Sequence, residues 1–267
     1  MATAAAREHD RSVSIGRIFS RAFGTLRSNP LVTLGIAFLF GAMPSLLLAY
    51  VVQVSGTQAF EVLGSAAVIA LAIFSAVVAI MLAMITQGAL VRATTAYSEG
   101  RKASLGESAM AGLSVALPLF LLGLVSAVGI ALGFLLLLVP GIILYVMWSV
   151  AAPALVEERL GPIEALGRSA DLTSGARWKV FGLTLVVVVL YWLVSALVGL
   201  LTVMWYGGLA NFAATGTMGM PIGYLLINGI FGTITSAVWG VIQTSLYVEL
   251  RDWKDGPRSE ALAEIFG

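Results

Sequence analysis

The chain has 267 residues, of which 59% are hydrophobic and only 11% charged, and its mean hydropathy is +0.98. A soluble domain carries about a quarter charged residues, so this is an integral membrane protein. The formal net charge of +1 gives no electrostatic case for nucleic acid, and the absence of cysteine excludes disulfides, thiolate nucleophiles and Cys-ligated zinc.

The first 16 residues, MATAAAREHDRSVSIG, lack an apolar core beside their charges, and no cleaved targeting segment is expected there. His9, the one histidine, lies in this polar arm and reads as solvated. Over residues 12–28, Ile15, Ile18, Phe19, Ala22, Phe23 and Leu26 recur at three- and four-residue spacing, with Arg17 and Arg21 opposite. That pattern predicts an amphipathic helix lying in the cytoplasmic interface with its arginines among anionic headgroups, the plainer alternative being a leader to the first span. Asn29-Pro30 ends it.

Spans follow at 31–54, with Pro44 as an internal kink, and at 63–91. The apolar tract 108–156 would run roughly 70 Å as one helix, more than twice a bilayer core of about 30 Å, so it must turn. Pro140 and Gly141 are the expected hinge, dividing it into a long span at 109–138 and a short one at 142–156 that is tilted or only partly spanning. The last spans are 179–206 and 222–249. The segment 207–221 between them is neutral and rich in Gly, Ala, Thr and Met, and reads as an outer loop or a stretch folding back into the membrane.

The charges test this count. All 15 Lys and Arg fall in four groups: the N-terminal arm to Arg27, the loop from Arg92 to Lys102, the loop from Arg159 to Lys179, and Arg251 onward. A hairpin near Pro140 places the four groups on one side, which the positive-inside rule assigns to the cytoplasm. The expected fold is therefore all-α: a single polytopic domain of six transmembrane helices plus two cytoplasmic interfacial amphipathic helices, at 12–28 and 162–174, with both termini cytoplasmic in a bacterial inner membrane.

TQGALVRATTAYSEGRKASL at 86–105 aligns without gaps on IQTSLYVELRDWKDGPRSEA at 242–261, pairing Gln87 with Gln243, Leu90 with Leu246, Glu99 with Asp255 and Gly100 with Gly256. The alignment suggests a parallel repeat of 12–105 and 162–261; similarity of helix ends at membrane surfaces is the alternative.

Pro162 suits the first turn of a helix, Glu164 its dipole-favoured start and Gly175 its stop. Ile163, Leu166, Ala170 and Leu172 would form the apolar side of this helix, with Arg168 and Asp171 facing away. It reads as a surface-lying helix or, more sharply, as part of a polar site in which Glu157, Glu158, Arg159, Arg168 and Ser169 receive a lipid phosphate or a protein partner.

The run LLLLVPGIILYVMWSVAAPALVEERLGPIEALGRSADLTSGARWKVFG, followed by TSLYVELRDWKDG, resembles the membrane domain fused to some glycerophosphoryl diester phosphodiesterases and its stand-alone YciC-like bacterial relatives. The resemblance implies a six-helix inner-membrane protein and imports no catalysis, because the phosphodiesterase work of the fused proteins belongs to a separate soluble barrel. No HExxH, Walker loop or Ser-His pairing is found, and no span centre carries a charge. Gln87, Ser126, Asn228, Thr235, Ser236 and Gln243, which lie at depth, read as inter-helix packing groups or as a translocation path. Small residues at four-residue spacing, Gly129 with Gly133, Ser195 with Gly199, and Gly232 with Ser236 and Gly240, suit close helix contacts within the chain or in a dimer.

The functional expectation is a non-enzymatic scaffold or accessory factor in lipid and envelope homeostasis. The alternative is a transporter or permease component for a neutral or lipidic substrate. Membrane lipids are the expected partners, with a protein partner or homo-oligomer besides and no nucleic acid; no cofactor or metal is expected.

Overall fold

The computed structural model describes residues 13–55, 58–205, 208 and 222–256. The polar arm with His9, most of the segment 207–221 and the last part of the aligned stretch 242–261 lie outside the described residues. Among those described there is no strand, and six helical segments are long and apolar enough to cross a bilayer.

In chain order, α1 is Ile15–Ser28. The first span, α2, runs as Pro30–Ile36, a wide π-helical turn Ala37–Ala42, and Met43–Ser55. Pro44 cannot donate to the Phe40 carbonyl four residues back, and the wide turn immediately before it is where the helix absorbs that mismatch. Helix α3, Gln58–Ser98, is interrupted at Gly64, where φ is 74°, and spans from Ala66 to Ser98. It ends as the sequence suggests: Gly100 takes φ 74° and Arg101 N donates to Ala96 O at 2.8 Å, closing the last turn through a left-handed glycine. Gly256, its partner in the internal alignment, takes φ 84° after Asp255.

The long apolar tract does turn, but upstream of the expected hinge. Helix α4 is Leu105–Leu136; Leu137 alone is extended, at φ −165° and ψ 156°; α5 begins at once as Leu138–Met147. Pro140 therefore lies in the first turn of α5, where a missing N–H costs nothing. Gly141 is helical, and a Cβ on it would lie 2.4 to 2.8 Å from atoms of the Phe134 ring. Its role is close approach rather than turning. Gly129 and Gly133 likewise admit Trp148 and Leu144 of the returning strand of the hairpin. Gly199 and Gly232 face open space. The tightest crossing, α3 on α4, uses Gly88 and Gly112 instead, with the Gly112 Cβ position 2.3 Å from Ile85 O.

The fourth span is itself in two pieces, α5 and α6 (Ala151–Glu158). Then come α7, Pro162–Thr173, and the last spans α8, Arg177–Trp205, and α9, Ile222–Asp255. Buried side chains from α1, α5, α7, α8 and α9, among them Ile18, Val146, Leu172, Leu183 and Tyr247, form the largest core. It sits toward the end of the bundle where the charged loops gather. Toward the other end, α8 turns Leu190, Leu193, Val194 and Leu197 outward, as expected of a surface whose solvent is lipid.

Candidate functional site

Two linked features stand out: a helix break at the depth of the bilayer, and a lattice of ion pairs on the charged face beside it. The break begins in the sequence. Pro153 has no N–H, so the carbonyl of Ser149, its partner four residues earlier in a continuous helix, is left without a donor. The chain leaves helical geometry at Trp148 (ψ 10°) and Val150 (ψ 16°) and resumes at Ala151. Backbone polar groups freed inside a membrane must be satisfied by protein.

Gln243 and Ser169 do this, with Gln87 in support. Gln243 of α9 donates Nε2 to Ser149 O at 2.6 Å. The hydroxyl of Ser169, on α7, donates to Met147 O at 2.8 Å and accepts from Val150 N at 3.2 Å. Gln87 of α3 donates Nε2 to Gln243 Oε1 at 2.5 Å, orienting its amide. Gln87 and Gln243 are the residues paired by the internal alignment.

The polar cluster read from the sequence is only partly brought together. Glu158 and Arg168 do meet: Arg168 Nε lies 2.8 Å and 3.0 Å from the two Glu158 oxygens, and Tyr247 Oη donates to Glu158 Oε1 at 2.9 Å. Arg168 also pairs with Asp255 at the end of α9. Burial works against the charge on Arg168, but hydrogen bonds and charge attraction from Asp255 and Glu158 outweigh it and hold the pKa above that of an ordinary arginine. Its donor fork is thus committed to carboxylates. Glu157 points elsewhere, accepting from Thr95 Oγ1 of α3 at 2.8 Å. Ser169 is fully buried at the break, and Arg159 is exposed in the left-handed conformation, φ 53°, that ends α6.

Helix α7 has the predicted ends, with Pro162 in its first turn, Glu164 Oε2 accepting from Gly161 N at 2.9 Å, and Gly175 at φ 84° beyond it. Its buried side differs from expectation. Ala165, Leu166, Ser169, Leu172 and Thr173 face the bundle, while Ile163 is 66% exposed. The face is chosen by the need to bring Ser169 under the break, which apolar periodicity does not register.

A second clasp was not foreseen. Glu249, only 4% exposed, accepts from Arg17 Nε at 2.8 Å and from Ser14 N at 3.0 Å, with Arg21 at 3.8 Å. The basic side of α1 therefore faces α9 instead of headgroups, and Phe23 is the side chain turned outward. Arg92 and Glu107, 2.8 Å apart, join α3 to α4 in the same region. Among the described residues no group of three or more His, Cys, Asp or Glu is placed to hold a metal ion.

A cavity of about 180 Å³ opens beside the break, lined by Ser126, Tyr145, Trp148, Ser149, Thr184 and Gln243 together with aliphatic groups of α8 and α9.

Fold and site define an all-helical, six-span membrane protein whose fourth span is broken and held by polar side chains of neighbouring helices. The chain belongs to a family described as a domain of unknown function, DUF7847, whose match covers residues 13–250. Neither the curated proteins nor the solved structures contain a match to it.

Proposed function

We propose that this protein is a non-enzymatic scaffold or accessory factor of lipid and envelope homeostasis in the bacterial inner membrane, with both termini cytoplasmic. The observation that carries the reading is the charged face. Carboxylates there join helices: Glu249 holds α1 to α9, Glu158 ties α6 to α7 and α9, Asp255 holds α9 to α7, and Glu157 ties α6 to α3. Groups committed in this way build a rigid platform, which suits docking better than proton transfer. The clustering of all 15 Lys and Arg in four groups supports the orientation. The resemblance to the membrane domain of glycerophosphoryl diester phosphodiesterases supports a lipid context. Arg159 and Ile163, both exposed, are the contact points offered to a protein partner.

Photocrosslinking in cells tests this. A crosslinking amino acid at Arg159 or Ile163 is expected to give discrete adducts that a lipid-facing control at Leu193 does not. Robust turnover of a phospholipid or phosphodiester by purified protein, lost in Glu157→Gln or Arg168→Ala, would overturn it.

The transport alternative rests on the broken fourth span and the cavity at its break, since interrupted helices line substrate sites in many transporters. Lipid or solute flux in proteoliposomes, abolished by Gln243→Leu, would favour it over the scaffold reading.

A further inference from the structure

Next to the cavity beside the break lies a second space. A cleft of about 440 Å³ lies between α8 and α9, lined by Val188, Tyr191, Trp192, Thr235, Ser236 and Trp239, and Trp239 borders both. The cleft is a side window in the bundle. The inner chamber, the cavity at the break, has Leu183 and Val187 of α8 and Ile242 and Leu246 of α9 in its wall. Away from the charged face the cleft is closed by Tyr191 stacked on Phe231, ring centroids 6.2 Å apart. Trp192 is 67% exposed and faces the surface that lipid covers.

The chemistry of the two spaces differs. The inner chamber offers hydrogen-bonding groups: Tyr145 Oη and Thr184 Oγ1 make no hydrogen bond to a described residue, while the Gln243 amide is fixed by its neighbours. The cleft is aromatic and aliphatic with two small hydroxyls, and the Thr235 and Ser236 hydroxyls already donate to backbone carbonyls of their own helix. None of the residues lining either space is charged. A charged headgroup would lose its hydration there without a counter-ion, at a cost of several kcal/mol, whereas hydroxyl and ester oxygens would find partners. A cavity of about 150 Å³ accepts benzene, so one of about 180 Å³ has room for a head of glycerol scale.

We infer that the chamber and cleft bind an uncharged glycerolipid of the diacylglycerol class, its hydroxyl-bearing head beside Tyr145 and Thr184 and an acyl chain leaving between α8 and α9 past Trp192 and Trp239. The site deepens the lipid-handling reading and rests on it, but it uses no residue of the charged face.

The test uses the full chain in phosphatidylcholine nanodiscs with a diazirine-bearing diacylglycerol as probe. Crosslinks are expected to concentrate on α8 and α9 peptides around Trp192 and Trp239. A tenfold excess of dioleoylglycerol should lower them about tenfold by mass action, and the same excess of dioleoylphosphatidic acid by less than about twofold because of its charge. Tyr145→Phe, which keeps volume and removes one hydroxyl, is expected to weaken saturable labelling about three- to tenfold, the value of one hydrogen bond. Thr184→Trp, which fills the chamber, should weaken it more than about tenfold, and Val194→Trp on the outer face of α8 should leave it unchanged. If Thr184→Trp does not fold, Tyr145→Phe carries the test alone. Uniform labelling of all lipid-facing helices, equal competition by phosphatidic acid, or wild-type labelling in Tyr145→Phe would overturn the inference. Any of these would leave the platform reading to stand or fall on crosslinking from Arg159 and Ile163.

Discussion

Ser169→Ala tests the broken span most sharply. One hydroxyl serves two backbone groups across the break, donating to Met147 O and accepting from Val150 N, at a position with no exposure to solvent. Alanine fits the same space, so packing changes little, but the Val150 N–H loses its partner and the Met147 carbonyl keeps only Thr173 Oγ1 at 3.4 Å. A buried group that loses its partner costs about 1–3 kcal/mol, and a second, weakened group on the same short segment places the loss in the upper part of that range, about 2–3 kcal/mol. For a chain of this size about 1 kcal/mol corresponds to roughly 2–4 °C in Tm, so a fall of about 4–12 °C is expected in detergent or nanodiscs. Ser174→Ala, at an exposed position just beyond α7, is the control and should move Tm by less than about 2 °C. Equal melting of the two variants would refute the claim that Ser169 holds the break.

The other predictions concern the supports around it. Gln87→Leu and Gln243→Leu should each destabilise, and their double-mutant cycle should show a coupling of about 0.5–3 kcal/mol because they share one hydrogen-bonded chain; strict additivity would contradict the contact. Glu249→Gln should release α1, read as faster amide exchange over Ile15–Ser28 with α7 unaffected; unchanged exchange would count against the clasp. Gly112→Val should cost about 1–3 kcal/mol or more by forcing α3 from α4, whereas Gly106→Ala, where a Cβ meets nothing within 4 Å, should not. Because its carboxylate partners hold the Arg168 pKa above that of an ordinary arginine, the group stays charged in both folded and unfolded chains below pH 10, and its contribution lasts until pH rises toward that folded value. The Arg168 clasp should thus not weaken between pH 7 and 10, as α7 exchange in that window can show.

What could be read from the chain follows from which signals are local. The six spans, the ends of α7 at Pro162 and Gly175, and the turns at Gly100 and Gly256 are each written within a few residues, in hydropathy or backbone chemistry. The turn at Leu137 was misplaced onto Pro140 and Gly141 because proline is tolerated in the first turn of a helix as readily as in a break, and glycine serves close packing as well as bending. The break at Trp148 to Val150 had a local cause in Pro153, but its persistence depends on Ser169 and Gln243, whose approach no periodicity reports. For the same reason Ser169 read as a surface hydroxyl beside Arg168, and Glu249 as a residue at a span end, when its partner Arg17 lies 232 positions away.

The gathering of the charged groups on one side requires the hairpin of α4, α5 and α6 to cross the membrane and return. The natural absence of cysteine allows a direct measurement: single cysteines at Lys102, Ser174 and Thr217, reacted in intact cells with a membrane-impermeant maleimide. Lys102→Cys and Ser174→Cys should both be protected until the cells are opened, and Thr217→Cys, in the segment joining α8 to α9, should be labelled from outside. Labelling of Lys102→Cys and Ser174→Cys from opposite sides would contradict the six-span arrangement, and labelling of both from outside would reverse the proposed orientation.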